Sequence, residues 1–361
     1  MDGNGFKSDD IFSESRLDNS FVEAQVPETP GYPVKDARLA YKTVGGGLFW
    51  LLLGSQIALY AAIFILAMIN PAILETGWIN IALSVIPIYL VGAPLFILAI
   101  RRTEPQRPKK QRISTGKLVL LLFSAIGCMY AFNYITSFFS AIIDYVFGIE
   151  IPNAVYDMLT GTSLPLALLS TLVIAPVLEE LFFRKFICDR LAKYGEWQAI
   201  LFSALAFSLF HMNFEQLFYA FALGCLFAIV YIKTGNILYT MAMHFAVNFV
   251  GSVPGIVVLK LGVLDTMEEF LQIADTGAVD VAIEFVKANA VDIIIFAAYT
   301  LFTTALMLAG VIILLTQIKK LLTSVGSSEM PKGERLKIMF SGKRTVAYII
   351  ICVALTVIAM L

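Results

Sequence analysis

The stretch "STLVIAPVLEELFFRKF" (residues 170–186) places two adjacent glutamates inside a run of apolar residues. The surrounding segment, residues 164–190, is long enough to cross a hydrocarbon layer about 30 Å thick, which takes roughly 20 residues of helix. An ionisable side chain at that depth costs about 2.5–3.5 kcal/mol on insertion scales, so it is a candidate for function. Glu179 and Glu180 therefore indicate a functional site inside a membrane-spanning helix.

The composition is typical of a membrane protein. The chain has 361 residues, of which 59% are hydrophobic and 15% are charged, and its mean hydropathy is +0.82. Soluble domains have about 45–50% apolar and about 25% charged residues. We therefore expect an all-α, polytopic helical membrane protein with membrane lipid around it. The net charge of −1 gives no support for a nucleic-acid partner, and none is expected. The four cysteines are scattered singly, which favours neither a metal site nor a disulfide framework.

Nine apolar segments are candidates for membrane spans. Some of them are short, so the prediction is eight or nine transmembrane helices. The segments are residues 46–70, 78–100, 117–141, 164–190, 197–213, 215–233, 236–258, 291–317 and 345–361.

These segments divide the chain into five regions. Residues 1–44 are polar and are expected to form a disordered cytosolic tail, because they cannot bury enough apolar surface to fold. Residues 45–115 form a first transmembrane pair with a basic loop, and residues 116–260 form a membrane core that contains the buried ionisable residues. Residues 261–290 are an external loop with apolar residues at helical spacing. Residues 291–361 form a last transmembrane pair.

Basic residues mark every second junction between spans. Examples are the junctions at residues 101–112 and 319–344, whereas the junctions between them are acidic or neutral. By the positive-inside rule the N-terminus is cytosolic. The compact basic loops favour a bacterial plasma membrane.

The other buried polar residues can reach the glutamates. The protein has only two histidines, His211 and His244, and both lie in apolar spans. Glu180 lies 15 residues before Gly195 and His211 lies 16 residues after it. In an antiparallel hairpin that turns at Gly195 these two residues reach the same level. His244 and Asn248 are four residues apart and share one face of a helix.

The two glutamates are expected to have different roles. Glu180 and Arg184 form an i,i+4 pair in the favourable order, so they are predicted to be a structural ion pair. Glu179 has no local cation and is available as a general base. Pro176 is expected to kink or loosen the helix beside them, because it has no N–H.

This set of side chains suits water-mediated amide hydrolysis. Glu179, assisted by His211, would take a proton from water, and His244 and Asn248 would donate hydrogen bonds to the oxyanion. Such a donor is often worth about 2.7–4 kcal/mol. No serine or cysteine stands near a histidine at workable spacing, so a nucleophilic triad is disfavoured.

Three motifs carry a family resemblance. "EELFFR" (179–184) matches EExxxR, "FSLFH" (207–211) matches FxxxH, and "HFAVN" (244–248) matches HxxxN. The sequence resembles the CPBP family of intramembrane endopeptidases, which includes type II CAAX prenyl endopeptidases and the bacterial bacteriocin-processing or Abi proteins. The resemblance covers about residues 117–258.

The resemblance implies a helical membrane core around a glutamate-dependent proteolytic site that opens to the cytosol. It assigns water activation to Glu179 and His211, and the oxyanion site to His244 and Asn248. No cofactor is favoured. Because the family is often described as metal-dependent, a zinc set of Glu179, His211 and His244 is kept as an alternative.

Three functions remain open at this point. The first is an intramembrane endopeptidase that acts on a membrane-associated peptide or protein, for example in bacteriocin processing or immunity. The second is a catalytically silent scaffold or regulator of a membrane partner, and the third is an ion- or proton-coupled transporter. Polar residues often only bond between helices. Burying two glutamates at the level of both histidines, however, costs more free energy than such hydrogen bonds between helices contribute.

Overall fold

Helices make up most of the described chain. The computed structural model describes residues 34–152, 161–326 and 331–361, and helices are the only regular secondary structure in those ranges. Eight helices are long and apolar enough to span a membrane, which confirms the predicted fold class. They are α1 (Val34–Ile69), α2 (Gly77–Ile100), α3 (Thr115–Phe147), α4 (Leu164–Tyr194), α6 (Phe214–Thr234), α7 (Ile237–Lys260), α10 (Ala290–Ser324) and α12 (Lys343–Met360).

Four further helices are shorter. They are α5 (Glu196–Phe210), α8 (Val263–Asp275), α9 (Val279–Ala288) and α11 (Lys332–Met339). Helices α8 and α9 fall where the external loop was predicted to hold amphipathic helices. The direction in which the bundle crosses the membrane stays a prediction.

The first helix begins earlier than predicted. The expectation of a disordered tail to residue 44 is wrong for residues 34–44, because α1 starts at Val34 and not at residue 46. Ala37, Tyr41 and Val44 are buried at helical spacing, and the Tyr41 ring packs edge-on against Phe202. Charged residues on the opposite face hid this amphipathic pattern. Residues 1–33 lie outside the described residues.

Helix α5 is the predicted span that is too short to cross. Its 15 residues extend about 22 Å at 1.5 Å per residue. Gly195, with φ of 150°, reverses the chain between α4 and α5, as the predicted hairpin requires. Near the C-terminal end of α5, the Tyr348 hydroxyl of α12 donates a hydrogen bond to the Ala206 carbonyl at 2.7 Å. This hydrogen bond joins α5 to α12.

Two glycines allow α3 and α10 to cross at close range. A Cβ built on Gly310 would lie 2.6 Å from the Gly127 Cα and would also overlap the Phe123 carbonyl. Close backbone approach through small residues is a common way for helices to pack in membranes.

We therefore expect Gly310→Ala to separate α3 from α10 and to lower stability by about 1–3 kcal/mol, the usual range for overpacking. The measurement is the thermal unfolding midpoint of purified protein in detergent. Gly116→Ala is the matched control, since a Cβ on Gly116 meets nothing within 4 Å. Equal midpoints for the two variants would contradict the close crossing.

Candidate functional site

Helix α4 changes its winding around the two glutamates. Residues Ser170–Ile174 and Glu180–Cys188 are π-helical, and they flank the α-helical turn Ala175–Glu179. Segments of π-helix are rare and occur frequently at functional sites. The expected disturbance near Pro176 therefore takes the form of wider turns.

Pro176 also explains the position of Asn248. The Ala175 N–H donates to the Ser170 carbonyl, five residues back, and Pro176 has no N–H to give. The Thr171 carbonyl therefore receives neither of the backbone donors that would normally bond to it. The Asn248 side chain fills this place, because its Nδ2–H donates to the Thr171 oxygen at 2.9 Å. One of the two amide hydrogens of Asn248 is thus committed to α4.

Glu180 and Arg184 form an ion pair that is fully buried. Both side chains are 0% exposed, and Arg184 Nε lies 3.2 Å from Glu180 Oε2. The guanidinium carbon lies 4.3 Å from the ring centroid of Phe207 and 5.5 Å from that of Phe227. Its three nitrogens make no hydrogen bond to any of the described residues. The cation is therefore balanced by one carboxylate and two aromatic faces.

His244 lies between the two glutamates. Its Nδ1 is 3.0 Å from Glu180 Oε1, and its Nε2 is 3.6 Å from Glu179 Oε2. A carboxylate oxygen of the ion pair accepts, so Nδ1–H is the donor of the shorter contact. The ring is only 4% exposed. The chain of contacts runs from Arg184 through Glu180 and His244 to Glu179.

His211 is held at the turn between α5 and α6. Its Nδ1–H donates to the Phe207 carbonyl at 2.8 Å, so Nε2 keeps a lone pair in the neutral ring. The next residue, Met212, has φ of 48° and is the one non-glycine residue with positive φ in the described ranges. Such strain tends to cluster at functional sites. The Asn213 side chain then caps α6 by accepting from the Gln216 N–H at 3.2 Å.

A cavity of about 550 Å³ joins the predicted catalytic residues. Glu179, His211, His244 and Asn248 all line it, whereas Glu180 and Arg184 are not among its lining residues. The four predicted catalytic residues therefore share one cavity, and the two glutamates have different surroundings.

Sequence reasoning missed several lining residues. Tyr89, Tyr219 and Glu215 all face the same cavity. The two tyrosines carry no signal that distinguishes them from other aromatic residues in the spans. Glu215, four residues after His211, was detectable as another acidic residue beside the motif.

The zinc alternative does not fit the side chains as they lie. In the described part of the chain, no three His, Cys, Asp or Glu side chains converge as metal ligands. Glu179 approaches His244, whereas His211 does not converge with these two residues within the described ranges. We derive no step through a metal, and the zinc set stays a prediction.

Removing only the cation of the buried pair should be more harmful than removing both charges. We expect Arg184→Met to destabilise the protein by about 3–5 kcal/mol, because Glu180 is left buried without a cation. The double variant Glu180→Gln/Arg184→Met should recover part of that loss. Thermal midpoints and the monodisperse fraction in detergent measure both effects. A double variant less stable than Arg184→Met would contradict the pairing.

Comparisons with known proteins agree with the motifs. Residues 161–250 match the family model of the type II CAAX prenyl endopeptidases, Rce1-like. A relative named "Putative membrane peptidase YdiL", from Bacillus subtilis (strain 168), is 29% identical over 168 residues, which are 45% of this chain and 67% of that protein. No solved structure matches the chain significantly. The matched segment contains all three motifs, so the predicted CPBP resemblance is confirmed for residues 161–250.

Proposed function

We propose that this protein is an intramembrane endopeptidase of a bacterial plasma membrane. It hydrolyses a peptide bond of a membrane-associated protein or peptide. The observation that carries the proposal is that the two glutamates lie in different environments. Glu180 is withdrawn into a buried ion pair, while Glu179 lines a cavity together with His211, His244 and Asn248. The match to membrane peptidases supports the same reaction class.

Water activation is assigned to Glu179. Its carboxylate takes a proton from a water in the cavity, and the resulting hydroxide attacks the carbonyl carbon of the scissile bond. His211, with its lone pair on Nε2, helps to hold and polarise that water. Glu179 then returns the proton to the leaving amine when the C–N bond breaks.

The oxyanion is assigned to His244 and Asn248. Because Nδ1–H is bonded to Glu180, His244 can donate from Nε2 as well only as the doubly protonated imidazolium, and this is the form that the oxyanion role requires. Asn248 keeps one amide hydrogen beyond the one that is bonded to Thr171. Preorganised donors of this kind are often the largest single contribution to catalysis of acyl transfer.

Two other functions make different predictions. A scaffold without catalytic activity needs no cavity beside a general base. A transporter needs a path through the bundle, but Ile187 and Leu191, further along α4, are fully buried. Both functions predict that peptide termini do not change when Glu179 is neutralised.

The test compares peptide termini from cells that carry the wild-type chain with those from cells that carry Glu179→Gln at equal abundance. We expect a specific set of termini to be lost in the variant, because the uncharged amide cannot take the proton of water. Terminus-selective mass spectrometry identifies the lost sites and thereby the substrate.

The matched control is Glu269→Gln, the same chemical change on the exposed surface of α8. It should leave the termini unchanged. Identical profiles for wild type and Glu179→Gln, combined with a phenotype of the full deletion, would favour the scaffold.

A further inference from the structure

One end of the helix bundle carries the basic connections. The loop between α2 and α3 packs there on the ends of α4 and α6. The Gln106 N–H donates to the Asp189 carbonyl at 2.6 Å, and the Gln111 N–H donates to the Thr234 carbonyl at 2.7 Å. We call this the basic end, since its α2–α3 loop contains Arg101, Arg102, Arg107, Lys109, Lys110 and Arg112.

The cavity extends from the catalytic residues in the direction away from the basic end. In α4 its lining begins at Ser170 and ends at Phe183, and α4 continues to the basic end without contributing further residues. In α7 the lining begins at His244 and runs away from the basic end to Leu259. Helices α5 and α6 contribute the residues around the turn that joins them, which is the part of this hairpin farthest from the basic end.

The two ends of the cavity differ in packing. Between the ion pair and the basic end, α4 is closely packed, since three of its residues are 0% exposed: Ile187, Cys188 and Leu191. Away from it, the lining continues to Leu264 in the first turn of α8 and to Tyr299 of α10. The cavity therefore extends towards the end of the bundle that carries α8 and α9, and not towards the basic end.

The lining is acidic. Glu179 and Glu215 both face the cavity, and its lining within the described chain contains no lysine or arginine. Glu215 lies in the first turn of α6 and accepts a hydrogen bond from the Ser140 hydroxyl. A cleft lined by one sign of charge concentrates ions of the opposite sign and repels those of its own.

We propose that the substrate enters from the membrane face opposite the basic loops, as an uncharged or basic segment of a membrane-associated chain. The identification of the entering molecule as a substrate rests on the proposed function, whereas the side of access and the preference for one sign of charge do not depend on it. By the positive-inside rule the basic end is cytosolic, so the end towards which the cavity extends is external. The cytosolic opening implied by the family resemblance is incompatible with that orientation for this cavity. An acidic lining also disfavours a free C-terminal carboxylate beside the scissile bond.

The side of access can be measured by thiol labelling of the full chain in right-side-out membrane vesicles. Ser84 lines the cavity, so Ser84→Cys places a thiol there with little change in size. We expect a membrane-impermeant methanethiosulfonate to modify Ser84→Cys in intact vesicles and Lys110→Cys, at the basic end, only after permeabilisation. Thr276→Cys, between α8 and α9, is the control for external exposure, and the parent protein gives the background of the four native cysteines. Modification of Ser84→Cys only after permeabilisation, or not at all, would overturn the proposal.

The same variant measures whether the cavity favours cationic over anionic reagents. We expect a cationic methanethiosulfonate to exceed an anionic one by about threefold or more, after normalisation to their rates with 2-mercaptoethanol. The ratio should fall in the double variant Ser84→Cys/Glu215→Gln. A normalised ratio near one in Ser84→Cys would remove the charge preference from the proposal.

The two proposals fail in different ways. Labelling does not require proteolysis, so external labelling without any Glu179-dependent termini would reject the peptidase and keep the access route. Glu179-dependent termini with labelling only from the cytosolic side would keep the peptidase and reject the access route.

Discussion

The rest of the site depends on the burial of one ion pair inside the helix bundle. Arg184 is 0% exposed, so its charge must be balanced by groups that the fold brings to it. Glu180 supplies the opposite charge from one turn away, and Phe207 and Phe227 supply ring faces from α5 and α6. His244 of α7 completes the arrangement by donating to Glu180. Four helices are therefore fixed relative to one another by a single buried cation and its partners.

A second constraint comes from the backbone of α4. In a bilayer an unbonded carbonyl is expensive, and Pro176 creates one at Thr171. Asn248 satisfies that carbonyl, so the residue that we propose as an oxyanion donor also ties α7 to α4. Because these polar residues make structural contacts between helices, substitutions there need a stability measurement beside any activity measurement.

Much of the fold is predictable from hydrophobic length, because a bilayer sets the number of residues that a span requires. The prediction fails where that rule is weak, at the amphipathic start of α1 and at the short helix α5. The presence of Glu179, His211 and His244 in one cavity is predictable from helical spacing and one turn at Gly195. The π-helical winding of α4, the ring nitrogen that each histidine uses, and the end towards which the cavity extends depend on packing between distant residues. No local pattern encodes those features.

The central claim is that this chain itself cuts peptide bonds with Glu179. The most direct measurement reconstitutes purified wild-type protein and purified Glu179→Gln into liposomes and supplies membranes from cells that lack the gene. Newly formed peptide termini are then counted over time. We expect termini to accumulate with the wild-type protein, and not with the folded variant. Termini that form equally with both proteins, or with neither, would contradict the claim.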